Sequence, residues 1–141
     1  MLKRDSMDDQ LREVSIFSEL SKKELKSVAR LMTQLSVKEG RELTRQGEPG
    51  REFLIILEGT AVVNRDGRKV ADLGPGDFLG ELAVLSGAPR TATVVATSDM
   101  TLEALNRREF MAVLDESPKL AKKILIGAVK RLQDLETGTP S

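Results

Sequence analysis

Apolar residues near the start of the chain recur with a helical period, and from Gln34 onward with that of short strands. Leu25, Val28, Ala29 and Met32 fall on one helical face. Ser21 and Glu24 have the spacing of a capping box, and Leu20 with Leu25 can staple the chain entry. The pattern predicts a docking helix from Ser21 to about Met32. Before it lie a small apolar cluster of Val14, Ile16 and Phe17 and a polar stretch over residues 1–10.

Beyond Gln34, runs rich in Val, Ile, Leu and Thr alternate with breaks that contain glycine. The spacing predicts strands at 35–37, 42–44, 53–57, 61–63, 70–73, 78–79, 91–96 and 101–105. Turns this frequent between short strands indicate a β-sandwich or barrel. Asp66-Gly67 is a two-residue hairpin signal, because both positions of the favoured turn need positive φ. Asn106 and Glu109 form a second capping box, and Phe110, Val113 and Leu114 follow as a short amphipathic helix. Ser117-Pro118 then suits the N-cap and first position of a last helix, running to about Leu135.

That last helix carries more apolar residues than one face needs. Leu125, Ala128, Leu132 and Leu135 have a short coiled-coil spacing, while Leu120, Ile124 and Ile126 offer a second face for the β domain or a ligand. The simpler alternative is one wide stripe on one core. Gly127 sits mid-helix, at a cost of about 1 kcal/mol relative to Ala, and suits close packing, a hinge or mere tolerance.

Composition narrows the chemistry. The 141 residues with 40% apolar content suit one globular domain, and the 22 acidic and 22 basic residues argue against general nucleic-acid binding. There is no Cys and no His, which removes disulfides, thiolate nucleophiles, zinc sites and Ser-His-acid triads. No enzyme, metal or cofactor is expected. No apolar run is long enough to span a membrane, no signal peptide is visible, and a cytoplasmic location is expected.

The remaining chemistry is concentrated in residues 78–92, FLGELAVLSGAPRTA. Gly80 follows a short strand, and Glu81, Leu82 and Ala83 open one turn of helix whose first amides could face an anion. Arg90 follows Glu81 by nine residues, held by Pro89 and flanked by Thr91 and Ala92. A guanidinium fork matches phosphate oxygens, whereas an ionised carboxylate repels them and suits a sugar hydroxyl. The set fits a phosphate and a ribose held side by side. The bland alternative is a Glu81–Arg90 ion pair on a surface loop.

Gly80-Glu81-Leu82-Ala83 and Pro89-Arg90-Thr91-Ala92 resemble the phosphate-binding cassette of the cyclic nucleotide-binding domain family. That family includes protein kinase A and G regulatory domains, cyclic nucleotide-gated channels and catabolite activator proteins. Residues 46–50 and 53–59 resemble its early barrel strands, and the likeness covers about residues 14–135. It implies a mainly β fold: an N-terminal helical segment at 1–33, an eight-stranded jelly-roll barrel at 34–106, C-terminal hinge and lid helices at 107–136 and a tail at 137–141.

The resemblance further implies a regulatory sensor, with cAMP as first ligand and cGMP as second, whose ligand repositions the last helix. Glu81 would accept from the ribose 2′-hydroxyl, and Arg90 would pair with the cyclic phosphate. The amides of Gly80, Leu82 and Ala92 would support them, within a cassette that includes Ala83. Thr91 would lie near phosphate and base without fixing which base is read. With no Trp or Tyr in the chain, no aromatic lid is available from the last helix. Leu125, Ile126 or Val129 could cap the base, or Lys130 or Arg131 as a cation. The catabolite activators continue into a helix-turn-helix and this chain ends first, so no direct nucleic-acid binding is expected. The remaining alternative is a ligand-free module that dimerises or docks an effector domain through the last helix.

Overall fold

The chain is described here from a computed structural model, for residues 17–137 and for side chains as far as Gln133. Val14, Ile16, the tail beyond 137 and the side chain of Leu135 lie outside the described residues. Helix α1 (Lys22–Ala29) carries the expected capping box, with the Ser21 hydroxyl accepting from the Glu24 amide and the Glu24 carboxylate from the Ser21 amide. It ends before Met32: the Leu31 and Met32 amides donate three residues back, to Val28 and Ala29, and the tightened turn releases the chain into a strand.

Eight strands follow: β1 (Thr33–Val37), β2 (Glu42–Thr44), β3 (Glu52–Glu58), β4 (Ala61–Arg65), β5 (Arg68–Leu73), β6 (Phe78–Leu79), β7 (Thr93–Ala96) and β8 (Met100–Asn106). They form two antiparallel four-stranded sheets, ordered β1-β8-β3-β6 and β2-β7-β4-β5. The jelly roll is thus a sandwich of two sheets. Asp66 and Gly67 adopt φ of 54° and 78°, the hairpin geometry expected between β4 and β5.

The sheet β1-β8-β3-β6 is covered on both faces, which explains why β3 reads as an unbroken apolar run. Leu54 and Ile56 point into the sandwich with Val63, Leu79, Val94 and Leu102. Phe53, Ile55 and Leu57 point outward onto the helices, among Leu25, Val28, Phe110, Val113, Leu120 and Ile124. Strand β4 alternates buried Ala61 and Val63 with half-buried neighbours, as a sheet covered on one face should.

Helix α2 (Glu81–Ser86) interrupts the strands between β6 and β7. Helix α3 (Arg107–Glu116) starts on the Asn106–Glu109 capping box, and α4 (Pro118–Thr137) starts where the Ser117 hydroxyl accepts from the Leu120 amide. Leu120, Ile124 and Ala128 dock α4 on the core. Two face assignments therefore change: Ile126 is 60% exposed and does not pack on the β domain, while Ala128 is 4% exposed and belongs to the docked face. Steps of four from Leu120 stay on one side of the helix, and Ile126 is turned away from it.

Candidate functional site

The elements converge on a pocket with a total empty volume near 640 Å³, solvent-open space included, between the sandwich, α2 and α4. Its walls include Val63, Leu73, Leu79 and Val94, and its polar side chains include Thr44, Arg65, Glu81, Arg90, Thr91 and Arg131. Gly80, Leu82, Ala83 and Ala92 border it as well, so the structure brings all seven cassette residues named from the sequence to one cavity.

Gly80 makes the turn from β6 into α2 at φ 96°, a conformation that side chains disfavour. A Cβ there would lie 2.4 Å from Arg90 Nη1 and 2.6 Å from the Glu52 carbonyl oxygen. Gly80→Ala should therefore cost about 1–3 kcal/mol through backbone strain, plus the displacement of Arg90. A lower urea midpoint is the expected result, and an unchanged one would contradict the close approach.

Glu81 opens α2 and is fully buried. Arg131 Nη1 lies 3.2 Å from both of its carboxylate oxygens and donates a hydrogen bond to Oε2. Arg131 Nη2 donates to the Phe78 carbonyl at 2.6 Å, and the guanidinium stands 5.4 Å from the centroid of the Phe78 ring. Glu81 Oε1 is buried and accepts no hydrogen bond among the described residues. Burial pushes the Glu81 carboxyl above its ordinary range, against the opposing pull of Arg131, its own amide and Arg90.

That shift fixes the sign of a pH effect. The folded chain holds the Glu81 proton more tightly than the unfolded chain does. The group's contribution to stability is therefore complete below the unfolded value near 4.5 and is lost as pH rises through the elevated folded value. Carboxyl-carbon NMR should show Glu81 titrating above the ordinary value of 4.5, and higher still in Arg131→Ala. A Glu81 that titrates at 4.5 in both proteins would contradict the burial argument.

Arg90 is held from a different side. Its backbone amide donates to the Glu48 carbonyl at 2.8 Å, and the Gly47 amide donates back to the Arg90 carbonyl at 2.9 Å. Pro49 and Pro89 form a bridge beside them. The guanidinium donates through Nη2 to the Glu52 carbonyl at 2.8 Å, while Nη1 is buried without an acceptor among the described residues. Loss of hydration lowers the Arg90 pKa, opposed by the charges of Glu52 and Glu81. Gly50 leaves room for this side chain, since a Cβ there would stand 2.7 Å from Arg90 Nε and 2.5 Å from the Ala83 Cβ. The glycine-rich loop at 46–50 thus supports the cassette arginine, a role beyond the turn read from its sequence.

Glu81 and Arg90 do not form the surface ion pair considered above, since Glu81 pairs with Arg131. Ala92 is buried with its carbonyl accepting from the Thr44 hydroxyl at 2.9 Å, and Thr91 is exposed at the rim. Of the lid candidates, Leu125, Ile126, Val129 and Lys130 are exposed and none borders the pocket, whereas Arg131, the alternative cationic cap, does. Among the described side chains of α4, Arg131 is the one at the pocket. It continues the docked face of Ile124 and Ala128 at helical spacing, and the other four are turned away. Gly127 lies one turn before Arg131, where a Cβ would stand 3.3 Å from Phe78 Cζ, so close packing accounts for that glycine. Phe78 is also in contact with Phe53, at 5.5 Å between centroids.

The arrangement offers one buried carboxylate oxygen and one buried guanidinium nitrogen, neither with a hydrogen-bond partner among the described residues, on side chains that line a common cavity. A ligand that presents a hydroxyl to the first and an anionic oxygen to the second satisfies both. A 3′,5′-cyclic ribose phosphate carries that pair of groups.

The family profile described as "Cyclic nucleotide-binding domain" matches residues 34–117. Among solved structures, cAMP-bound PfPKA-R is similar over 97% of this chain and 48% of its own, at 30% identity and TM-score 0.84. The catabolite activator protein of Thermus thermophilus is similar over 87% of this chain and 60% of its own, at 26% identity and TM-score 0.79. The regulatory subunit of a cAMP-independent protein kinase A from Trypanosoma brucei is similar over 85% and 46%, at 31% identity and TM-score 0.75. The chain thus spans about half the length of the two kinase regulatory chains.

Proposed function

The chain belongs to the cyclic nucleotide-binding domain family, and on that premise we propose that it is a sensor whose pocket takes a 3′,5′-cyclic nucleotide, cAMP before cGMP. The observation that carries the proposal is a pair of buried atoms without a hydrogen-bond partner among the described residues, Glu81 Oε1 and Arg90 Nη1, on side chains that line one cavity. Glu81 accepts from the ribose 2′-hydroxyl and Arg90 donates to the cyclic phosphate. The ligand supplies no chemistry to a reaction: the residues bind and orient it, and the module has no catalytic role. Family membership alone does not decide for cAMP, since one similar chain is described as part of a cAMP-independent kinase.

Occupancy reaches α4 through Glu81. Arg131 holds the last helix to the Glu81 carboxylate and to the Phe78 carbonyl. A ribose bound to the same carboxylate changes what that contact is worth, so the position of α4 depends on the ligand. Calorimetry with cAMP, cGMP and acyclic 5′-AMP tests the proposal. Micromolar or tighter binding of a cyclic nucleotide, with 5′-AMP much weaker, is expected. No heat and no melting shift with either cyclic nucleotide at saturation would overturn it.

A second role is favoured by one observation. Leu125, Ile126, Val129 and Leu132 are 47–60% exposed along α4, a stripe suited to a second copy or an effector domain. Sedimentation of the wild type and Leu132→Glu tests it: an assembly that Leu132→Glu disperses is expected, and a monomer in both would rule out the dimer.

A further inference from the structure

We infer that Arg65 is a second phosphate-pairing residue of this pocket, acting beside Arg90; the inference rests on the cyclic nucleotide reading above. Arg65 is the last residue of β4, and its neighbour Asn64 pairs with Thr93 of β7. That register carries Arg65 alongside the end of the cassette, where its Nε donates to the Thr91 carbonyl at 3.3 Å. Thr91 directly follows Arg90, so the guanidinium of a β4 residue lies against the loop that carries Arg90.

Among the described residues, the charges that line the pocket do not balance. They are Arg65, Glu81, Arg90 and Arg131, and Glu81 is paired with Arg131. Arg90 and Arg65 hydrogen-bond to backbone carbonyls, those of Glu52 and Thr91, and neither is in an ion pair among the described residues. Two cations directed at one cavity repel each other until an anion lies between them. A cyclic phosphate spreads one negative charge over two exocyclic oxygens. Arg90 serves one through its buried Nη1, and Arg65, with Nε tied to Thr91, keeps its terminal nitrogens to serve the other. Arg65 is half-buried, so water reaches its charge and its share is smaller than that of Arg90.

The competing role is a base contact, since an arginine fork also matches O6 and N7 of guanine and not the N6 donor of adenine. Calorimetry on the full chain with cAMP and cGMP, at several salt concentrations, separates the two for wild type, Arg65→Ala and Arg65→Lys. Arg65→Ala should weaken both nucleotides by the same factor, about 10-fold, the scale of one charge-assisted hydrogen bond. The salt dependence should become shallower, and Arg65→Lys should restore most of it. Unchanged affinity, or a loss confined to one base, would overturn the inference. Should Arg65→Ala fail to fold, the Arg65→Lys salt dependence decides: a slope unlike that of wild type overturns the inference. Failure of the wild type to bind either nucleotide would instead defeat the reading on which it rests.

Discussion

Arg90→Ala should weaken cyclic nucleotide binding by about 2–5 kcal/mol, the range for removing one partner of a desolvated charge pair. In affinity that is about 30-fold to several thousand-fold. The size follows from how Arg90 is held. Its backbone is laced to Gly47 and Glu48, and its Nη2 is tied to the Glu52 carbonyl. Little conformational entropy is left to lose on binding, so the guanidinium is preorganised for the phosphate. The same burial makes the charge costly without a ligand, so the empty variant should unfold near or above the wild-type temperature. Arg90→Lys keeps the charge and loses the fork, and should fall between the two. Calorimetry with parallel melting curves checks both statements; an Arg90→Ala affinity within threefold of the wild type would contradict them.

Glu81→Ala should weaken cAMP by about 1.5–3 kcal/mol, the worth of a hydrogen bond to a charged group. That loss should vanish for 2′-deoxy-cAMP, which lacks the hydroxyl assigned to Glu81 Oε1. The two changes form a thermodynamic cycle: wild type and variant, each with cAMP and with the deoxy ligand. A coupling above about 1 kcal/mol supports direct contact, and a coupling near zero would place Glu81 in a purely structural role. Glu81→Ala also frees Arg131, whose carboxylate partner it removes. Arg131→Ala measured beside it shows how much of the loss passes through α4.

The likeness of the sequence to its fold is strongest where local chemistry decides the outcome. Both capping boxes, the Asp66-Gly67 hairpin and the helical turn after Gly80 follow from side chains a few residues apart. The cassette residues were legible for the same reason, being neighbours along one stretch. What the sequence hid is what the fold brings from afar. Arg131 reaches Glu81 across 50 residues, and Arg65 reaches Thr91 across 26. Arg131 reads from the sequence only as a possible cationic cap, with no sign of its pairing to Glu81, and Arg65 carries no local signal, because an arginine on a helix or at a strand end is ordinary surface chemistry. The apolar lid candidates point away from the pocket; α4 has apolar residues on more than one side, and periodicity alone does not say which side docks. Burial of Leu120, Ile124 and Ala128 fixes the rotation, which turns Leu125, Ile126 and Val129 outward. The roles of Gly50 and Gly127 likewise became visible only with Arg90 and Phe78 beside them.

The central claim is that one ligand meets Glu81 and Arg90 in a single pocket. It is tested most directly by amide and arginine side-chain NMR spectra recorded as cAMP, then cGMP, is added. The account predicts saturable shifts concentrated in Gly80, Glu81, Leu82, Arg90, Thr91 and Ala92, with the Arg131 side chain moving at the same ligand concentration. Spectra unchanged by saturating amounts of both nucleotides, or shifts confined to the exposed stripe of α4, would contradict it.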